Sequence, residues 1–349
     1  MNKLEKITRP NILSLVPYSS ARNEFKGNAD IFLDANENPF GELNRYPDPM
    51  QVDLKRALAA ELNVSSNNVF IGNGSDEVID LLFRIFCTPG VDNVITLNPS
   101  YGMYSVSAAI NDVLIQRIPL DSDYNVQVDK LLNAVNPNTK IIFLCSPNNP
   151  TGNIIPLEDI ELICSRFNGI VVVDEAYIDF SDSPSAVGLL GKNWNLVVSQ
   201  TFSKARGLAA ARVGYAIGSE ELINLMNKVK PPYNVSKLNQ KVALEALLNK
   251  EKYNQEVELI KTQRRQVKDE LAQLPIVNKI FPSEANFILV KFEDGPKVYN
   301  WLLEKNIVVR NRDNEIKNTI RITIGSKEEN EKLINELKNY CYEKESTIY

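Results

Sequence analysis

The sequence contains no histidine. That absence excludes a Ser-His-Asp triad, a Cys-His pair, an imidazole-ligated metal and any imidazole acid or base. An enzyme built on this chain leaves proton transfer to Lys, Tyr, Asp or Glu, or takes its chemistry from a cofactor. Cysteine is scarce: Cys87, Cys145, Cys164 and Cys341 stand far apart. With no Cys-x-x-Cys pair they read as small buried hydrophobes, and neither a zinc site nor a disulfide framework is expected. No apolar run approaches the roughly 20 residues of a membrane span. A formal net charge of -5 without long basic runs argues against nucleic acid or an anionic membrane as the partner. The opening, Met1 to Pro10, lacks the apolar centre of a secretion signal, so a cytoplasmic location is expected.

The 349 residues give room for one large or two ordinary domains. Apolar runs at Val69–Ile71, Val94–Leu97, Lys140–Leu144, Ile170–Val173 and Trp194–Val198 read as buried strands. Helical spacing separates them, at Met50–Leu62, Val78–Phe86, Val128–Ala134 and Leu157–Phe167. This alternation predicts an α/β fold with a mainly parallel sheet. Ile31–Leu33, Val113–Ile118, Phe287–Val290, Ile307–Arg310 and Arg321–Gly325 are further strand candidates. Lys237–Leu274 reads as one long helical stretch, and Pro231-Pro232 as a hinge.

Polar residues gather where strands end, the edge at which open α/β sheets bind ligands. Gly72-Asn73-Gly74-Ser75-Asp76-Glu77, between a strand and a helix, suits an anion, although Asp76 and Glu77 also suit a helix first turn. Tyr101 follows one strand end, placed to stack on a flat ring or to pack in the core. Asn148-Asn149-Pro150-Thr151-Gly152 follows another, and Asp174-Glu175-Ala176-Tyr177 a third. Asp174 suits a protonated pyridine nitrogen or an ordinary loop. Ser199 to Tyr215 places Lys204 between Thr201, Ser203 and Arg212. Such a lysine is a snorkelling surface residue or one kept for its amine. An amine that forms a Schiff base beside a phosphate site points to pyridoxal phosphate.

These pieces, with Arg321-Ile322-Thr323, resemble in order and spacing the fold-type-I pyridoxal-phosphate aminotransferases over nearly the whole chain. The early motifs Pro17-Tyr18-x-x-Ala21-Arg22, Leu33-Asp34-Ala35-Asn36-Glu37-Asn38-Pro39-Phe40-Gly41 and Arg45-Tyr46-Pro47-Asp48 are similar to the branch that transaminates L-histidinol phosphate with 2-oxoglutarate. The resemblance implies a large domain with a mainly parallel seven-stranded sheet sandwiched by helices, over residues 48–230. It also implies a smaller α+β domain from 29–47 and 236–349, and an arm at 1–28.

For the site it implies pyridoxal 5′-phosphate bound covalently to Lys204, which then moves the substrate proton. Asp174 pairs with the pyridine nitrogen, Asn149 and Tyr177 with the ring oxygen, and Tyr101 stacks on the ring. Ser75, Asp76, Thr201, Ser203 and Arg212 hold the phosphate, joined by Tyr46 of the other subunit, so a homodimer with active sites at its interface is implied. Arg321 takes the anionic group of histidinol phosphate or glutamate, and Tyr18, Asn36 and Tyr46 border the substrate. An aromatic amino-acid aminotransferase and a lyase that decarboxylates threonine phosphate are the rival activities. One departure is Arg206, where the family carries an aromatic; it reads as altered packing near the dimer or the phosphate.

Overall fold

Strands buried on both faces come from apolar runs without alternation. The computed structural model, which describes residues 2–18, 27 and 29–346, forms its larger sheet from seven strands. They are Val69–Gly72 (β1), Asn93–Asn98 (β2), Leu114–Pro119 (β3), Thr139–Cys145 (β4), Ile170–Asp174 (β5), Leu196–Thr201 (β6) and Gly214–Ile217 (β7). The order is β1-β7-β6-β5-β4-β2-β3. Within this sheet β7 alone runs against its neighbours, β1 and β6; the others are parallel. The expected α/β architecture is present.

Successive residues of each strand feed opposite cores. Val171 and Val173 join Ile142, Leu144 and Val198 on one face. Ile170 and Val172 join Ile141, Phe143 and Val197 on the other. The first face is covered by helices Val52–Leu62, Leu157–Arg166 and Lys237–Leu248 through Leu54, Leu58, Ile160, Ile163, Ala243 and Leu247. The second is covered by Ser75–Phe86, Met103–Ile110 and Glu220–Val229 through Val78, Leu82, Tyr104, Leu222 and Met226. Burial of each such Val, Leu, Ile or Met side chain contributes about 1.5–3 kcal/mol, and the two cores fix the carboxyl edge of the sheet.

A second sheet is antiparallel, in the order β10-β11-β9-β8, from Val277–Ile280 (β8), Phe287–Phe292 (β9), Arg310–Asn311 (β10) and Thr319–Thr323 (β11). Its own core joins Ile288, Val290, Ile320 and Ile322 to Leu302, Leu333 and Leu337.

Three expectations need correction. Ile31–Leu33 is not a strand: no sheet edge receives it, and Leu33 is 91% exposed. Of Ile307–Arg310 only Arg310 pairs, because β10 is an edge and Val308 faces outward. The stretch 237–274 is two helices, Lys237–Leu248 and Lys250–Leu271, broken at Asn249 where ψ turns to 61°. The motif residues Ala21 and Arg22 lie outside the described residues. No described helix is long and apolar enough to cross a membrane.

Candidate active site

Parallel register brings the carboxyl ends of β4, β5 and β6 side by side: Cys145 pairs with Asp174, and Asp174 with Ser199. Above them opens one pocket lined by Ser75, Asp76, Tyr101, Cys145, Asn149, Asp174, Tyr177, Thr201, Ser203, Lys204 and Arg212. Every residue expected at the cofactor, except Tyr46, is therefore in one place.

Lys204 sits on the connection from β6 to β7. That loop is pinned by Phe202 N–H to the Val213 carbonyl (3.0 Å) and Leu208 N–H to the Phe202 carbonyl (3.0 Å). Its buried Phe202 and Ala205 anchor it while Lys204 opens on the pocket. The Lys204 Nζ lies 5.6 Å from the centre of the Tyr177 ring. Partial desolvation lowers the amine's pKa, and the Arg321 charge lowers it further; Asp174 and Asp76 oppose. Both main causes favour the neutral form a nucleophile requires.

Asp174 is 3% exposed. Tyr104 Oη donates to its Oδ2 at 2.7 Å, and the Ala176 amide donates to Oδ1 at 3.2 Å. Burial raises this carboxyl's pKa, and the two hydrogen bonds pull against that rise. A buried carboxylate so placed calls for a cation. Asn149 Nδ2 donates to Tyr177 Oη at 3.4 Å, and Asn149 Oδ1 accepts from Arg321 Nη1. The same Arg321 lies 5.2 Å from the Phe287 ring centre, and its buried Nε has no hydrogen-bond partner. Burial lowers its pKa, and the neighbouring Arg310 adds to this. Arg310 pairs with Arg321 in the β10–β11 register, so the two side chains share one face of the sheet.

The anion end of the pocket is the first turn of helix Ser75–Phe86, which has no side-chain cap. Asp76 accepts from Arg212 Nη2 at 3.1 Å and from Tyr101 Oη at 3.3 Å. Glu77 instead takes the Asn73 amide at 2.5 Å, so it ties down the turn. Gly74 has φ +77°, and a Cβ there would stand 2.7 Å from Arg212 Nη2. A Cβ on Gly214 would stand 2.2 Å from the Ser75 nitrogen. Two glycines thus keep open a cradle of bare amide, hydroxyl and guanidinium. Free donors at a helix start, an amine and a buried carboxylate fit pyridoxal phosphate.

Tyr46 and Asn36 do not reach this pocket within the chain. They line a second cavity with Tyr233 and Asn73, where Tyr46 stacks on Tyr233 at 4.4 Å. Tyr18 is 72% exposed and lies at neither. Arg206 is not at the phosphate end. It pairs with Glu61, donates to the Ala246 carbonyl at 3.3 Å and places its guanidinium 3.6 Å from the Tyr253 ring centre. Tyr104 and Arg310 were not singled out from sequence. The second aromatic of Tyr101-Gly102-Met103-Tyr104, just past a strand end, is the signal that marks the former.

This fold and site define a class of enzyme. The chain belongs to the aminotransferases of class I and II, pyridoxal-phosphate enzymes whose family model matches residues 21–337. A histidinol-phosphate aminotransferase of Cytophaga hutchinsonii is 51% identical over 97% of this chain and 99% of its own. One from Bacteroides fragilis is 49% identical over 97% and 100%. Within the class, the chain's family is accordingly that of the histidinol-phosphate aminotransferases. The crystal structure of such an enzyme from Sinorhizobium meliloti, in complex with pyridoxal-5′-phosphate, shares the fold. It has a TM-score of 0.79 at 24% identity, over 86% of this chain and 83% of that one.

Two outcomes follow from the geometry. Tyr104→Phe removes the only side-chain donor to Asp174 among the described residues and should weaken pyridoxal phosphate binding about tenfold, read by fluorescence titration. Arg206→Phe, remote from the pocket, should leave that constant unchanged while lowering the melting temperature; a large loss of bound cofactor would contradict this.

Proposed function

We propose that the chain catalyses transamination between L-histidinol phosphate and 2-oxoglutarate, giving imidazole acetol phosphate and glutamate, with pyridoxal 5′-phosphate as cofactor. The carrying observation is the shared pocket of Lys204, buried Asp174 and the uncapped helix start beside Arg212. The relatives' names supply the substrate.

When bound, the cofactor supplies an electron sink that makes the substrate's Cα proton removable. The chain's residues do the rest. Lys204 Nζ, its pKa already lowered, is the nucleophile that holds the cofactor and then the base that carries the proton. Asp174 holds the ring nitrogen protonated; Tyr104 and the Ala176 amide hold Asp174. Asn149 and Tyr177 orient the ring through its oxygen, and Tyr101 covers its face. The Ser75 and Asp76 amides, with Thr201, Ser203 and Arg212, take the phosphate.

Arg321 takes the substrate anion. Its fork is half committed to Asn149, and its buried unpartnered Nε favours a ligand at that spot. Arg310 adds a second cation on that face. This suits both a phosphate ester and a dicarboxylic partner.

Tyr46, Asn36 and Tyr18 serve the site of a second copy in a cytoplasmic homodimer. Leu33, Phe40, Leu43 and Tyr46 are exposed apolar side chains of one stretch of chain, of which Leu43 and Tyr46 line the second cavity, and surface of that kind marks an interface.

Adding L-histidinol phosphate without keto acid should convert the bound cofactor's visible absorbance to that of the amine form, faster than L-phenylalanine does. Response to phenylalanine alone would indicate the aromatic enzymes, and no response the lyase. Lys204→Ala should abolish turnover; an undiminished rate would sink the mechanism. Sedimentation should find a dimer, and Phe40→Asp should shift it toward monomer.

A further inference from the structure

Prolines crowd two segments that meet beside the site, Pro47–Pro49 and Pro231–Pro232. They contribute no N–H, so the carbonyls around them need donors from elsewhere. Lys230, 7% exposed, supplies them from inside. Its Nζ donates to the carbonyls of Pro49 (2.8 Å), Pro231 (3.2 Å) and Pro232 (2.8 Å), and to Asn234 Oδ1 (3.2 Å). Burial brings its pKa down to about 8 against the opposing pull of Glu77 and Asp48. Gln51 Nε2 supports the same knot, donating to the Pro49 carbonyl at 2.8 Å and to Asn234 Oδ1 at 3.2 Å.

Asn234 carries the connection onward. Its Nδ2 donates to the Ile71 carbonyl at 3.0 Å and to Glu77 Oε2 at 2.8 Å. That same carboxylate oxygen accepts the Asn73 amide at 2.5 Å. One amide and one carboxylate therefore separate the ammonium from the turn whose Ser75 and Asp76 line the pocket. On the other side Tyr233, between Pro232 and Asn234, stacks on Tyr46 with ring planes 13° apart.

We propose that Lys230 is a positioning residue for the cofactor's phosphate. Its ammonium clamps residues 231–234 against Pro49 and, through Asn234 and Glu77, fixes the turn that receives the phosphate. The inference rests on the reading of the pocket as a pyridoxal phosphate site. It adds that phosphate affinity is set partly by a lysine that never touches the ligand. The Tyr46–Tyr233 pair is held by the same clamp, so the face that meets a second copy and the phosphate turn are ordered together.

Pyridoxal, the same ring without phosphate, separates this role from general stability. Dissociation constants of pyridoxal phosphate and pyridoxal would be measured by fluorescence for the parent chain, Lys230→Met and Asn234→Ala. Asn234→Ala leaves the ammonium its three carbonyls but cuts the link to the turn. Each variant should bind pyridoxal phosphate about tenfold more weakly and pyridoxal within about twofold of the parent, so the preference for the phosphate ester shrinks. An unchanged preference would overturn the proposal, and so would an equal loss for both ligands, which marks a merely structural role. If Lys230→Met does not fold, Asn234→Ala decides alone. A parent chain that shows no preference for the phosphate ester removes the site reading itself, and the proposal with it.

Discussion

A carboxylate out of water dictates much of this molecule. Asp174 ends the central strand of the larger sheet with both apolar cores behind it, and charge there is costly unless it is matched. Tyr104 and the Ala176 amide meet part of the demand. The remainder faces the pocket, which Asp174 lines. The two-sided core is what makes the position so dry, and so the packing of the sheet and the chemistry of the site are one problem. Lys204 sits in the same field: Asp174 opposes the lowering of its pKa that burial and Arg321 bring about.

Strands β1, β2, β4, β5 and β6 of the larger sheet were legible because a strand buried on both faces needs an unbroken apolar run. Strand β3 is a largely exposed edge found from a broken run, and β7 was not legible as a strand. The pocket was legible because its residues follow those strands directly in the chain. What escaped depends on partners that no local pattern names. Ile31–Leu33 is as apolar as a strand, yet nothing in three residues says whether a sheet edge waits for it. Tyr104 meets an aspartate 70 positions away. Lys230 stands just past the end of helix Glu220–Val229, and only the fold brings the carbonyls of Pro49 and Pro232 around it. Arg206 reads as altered packing near the dimer or the phosphate, whereas its loop buries it against Glu61 and Tyr253.

Absence of imidazole leaves its mark on the design. Phenols occupy the supporting positions: Tyr104 behind Asp174, Tyr177 beside Asn149, Tyr101 against Asp76. Burial pushes all three phenols well above their ordinary range. They stay protonated and act as fixed donors or flat surfaces, whereas burial and Arg321 lower the pKa of the Lys204 amine.

The antiparallel strand β7 has a further consequence. Because it returns beside β6, with Thr201 opposite Gly214, the amine of Lys204 and the guanidinium of Arg212 belong to one closed loop. The spacing between that amine and that guanidinium is then set by a single short piece of chain, which works as a caliper. Lengthening the loop by one residue would alter which molecules bridge its jaws, even with every side chain of the pocket retained.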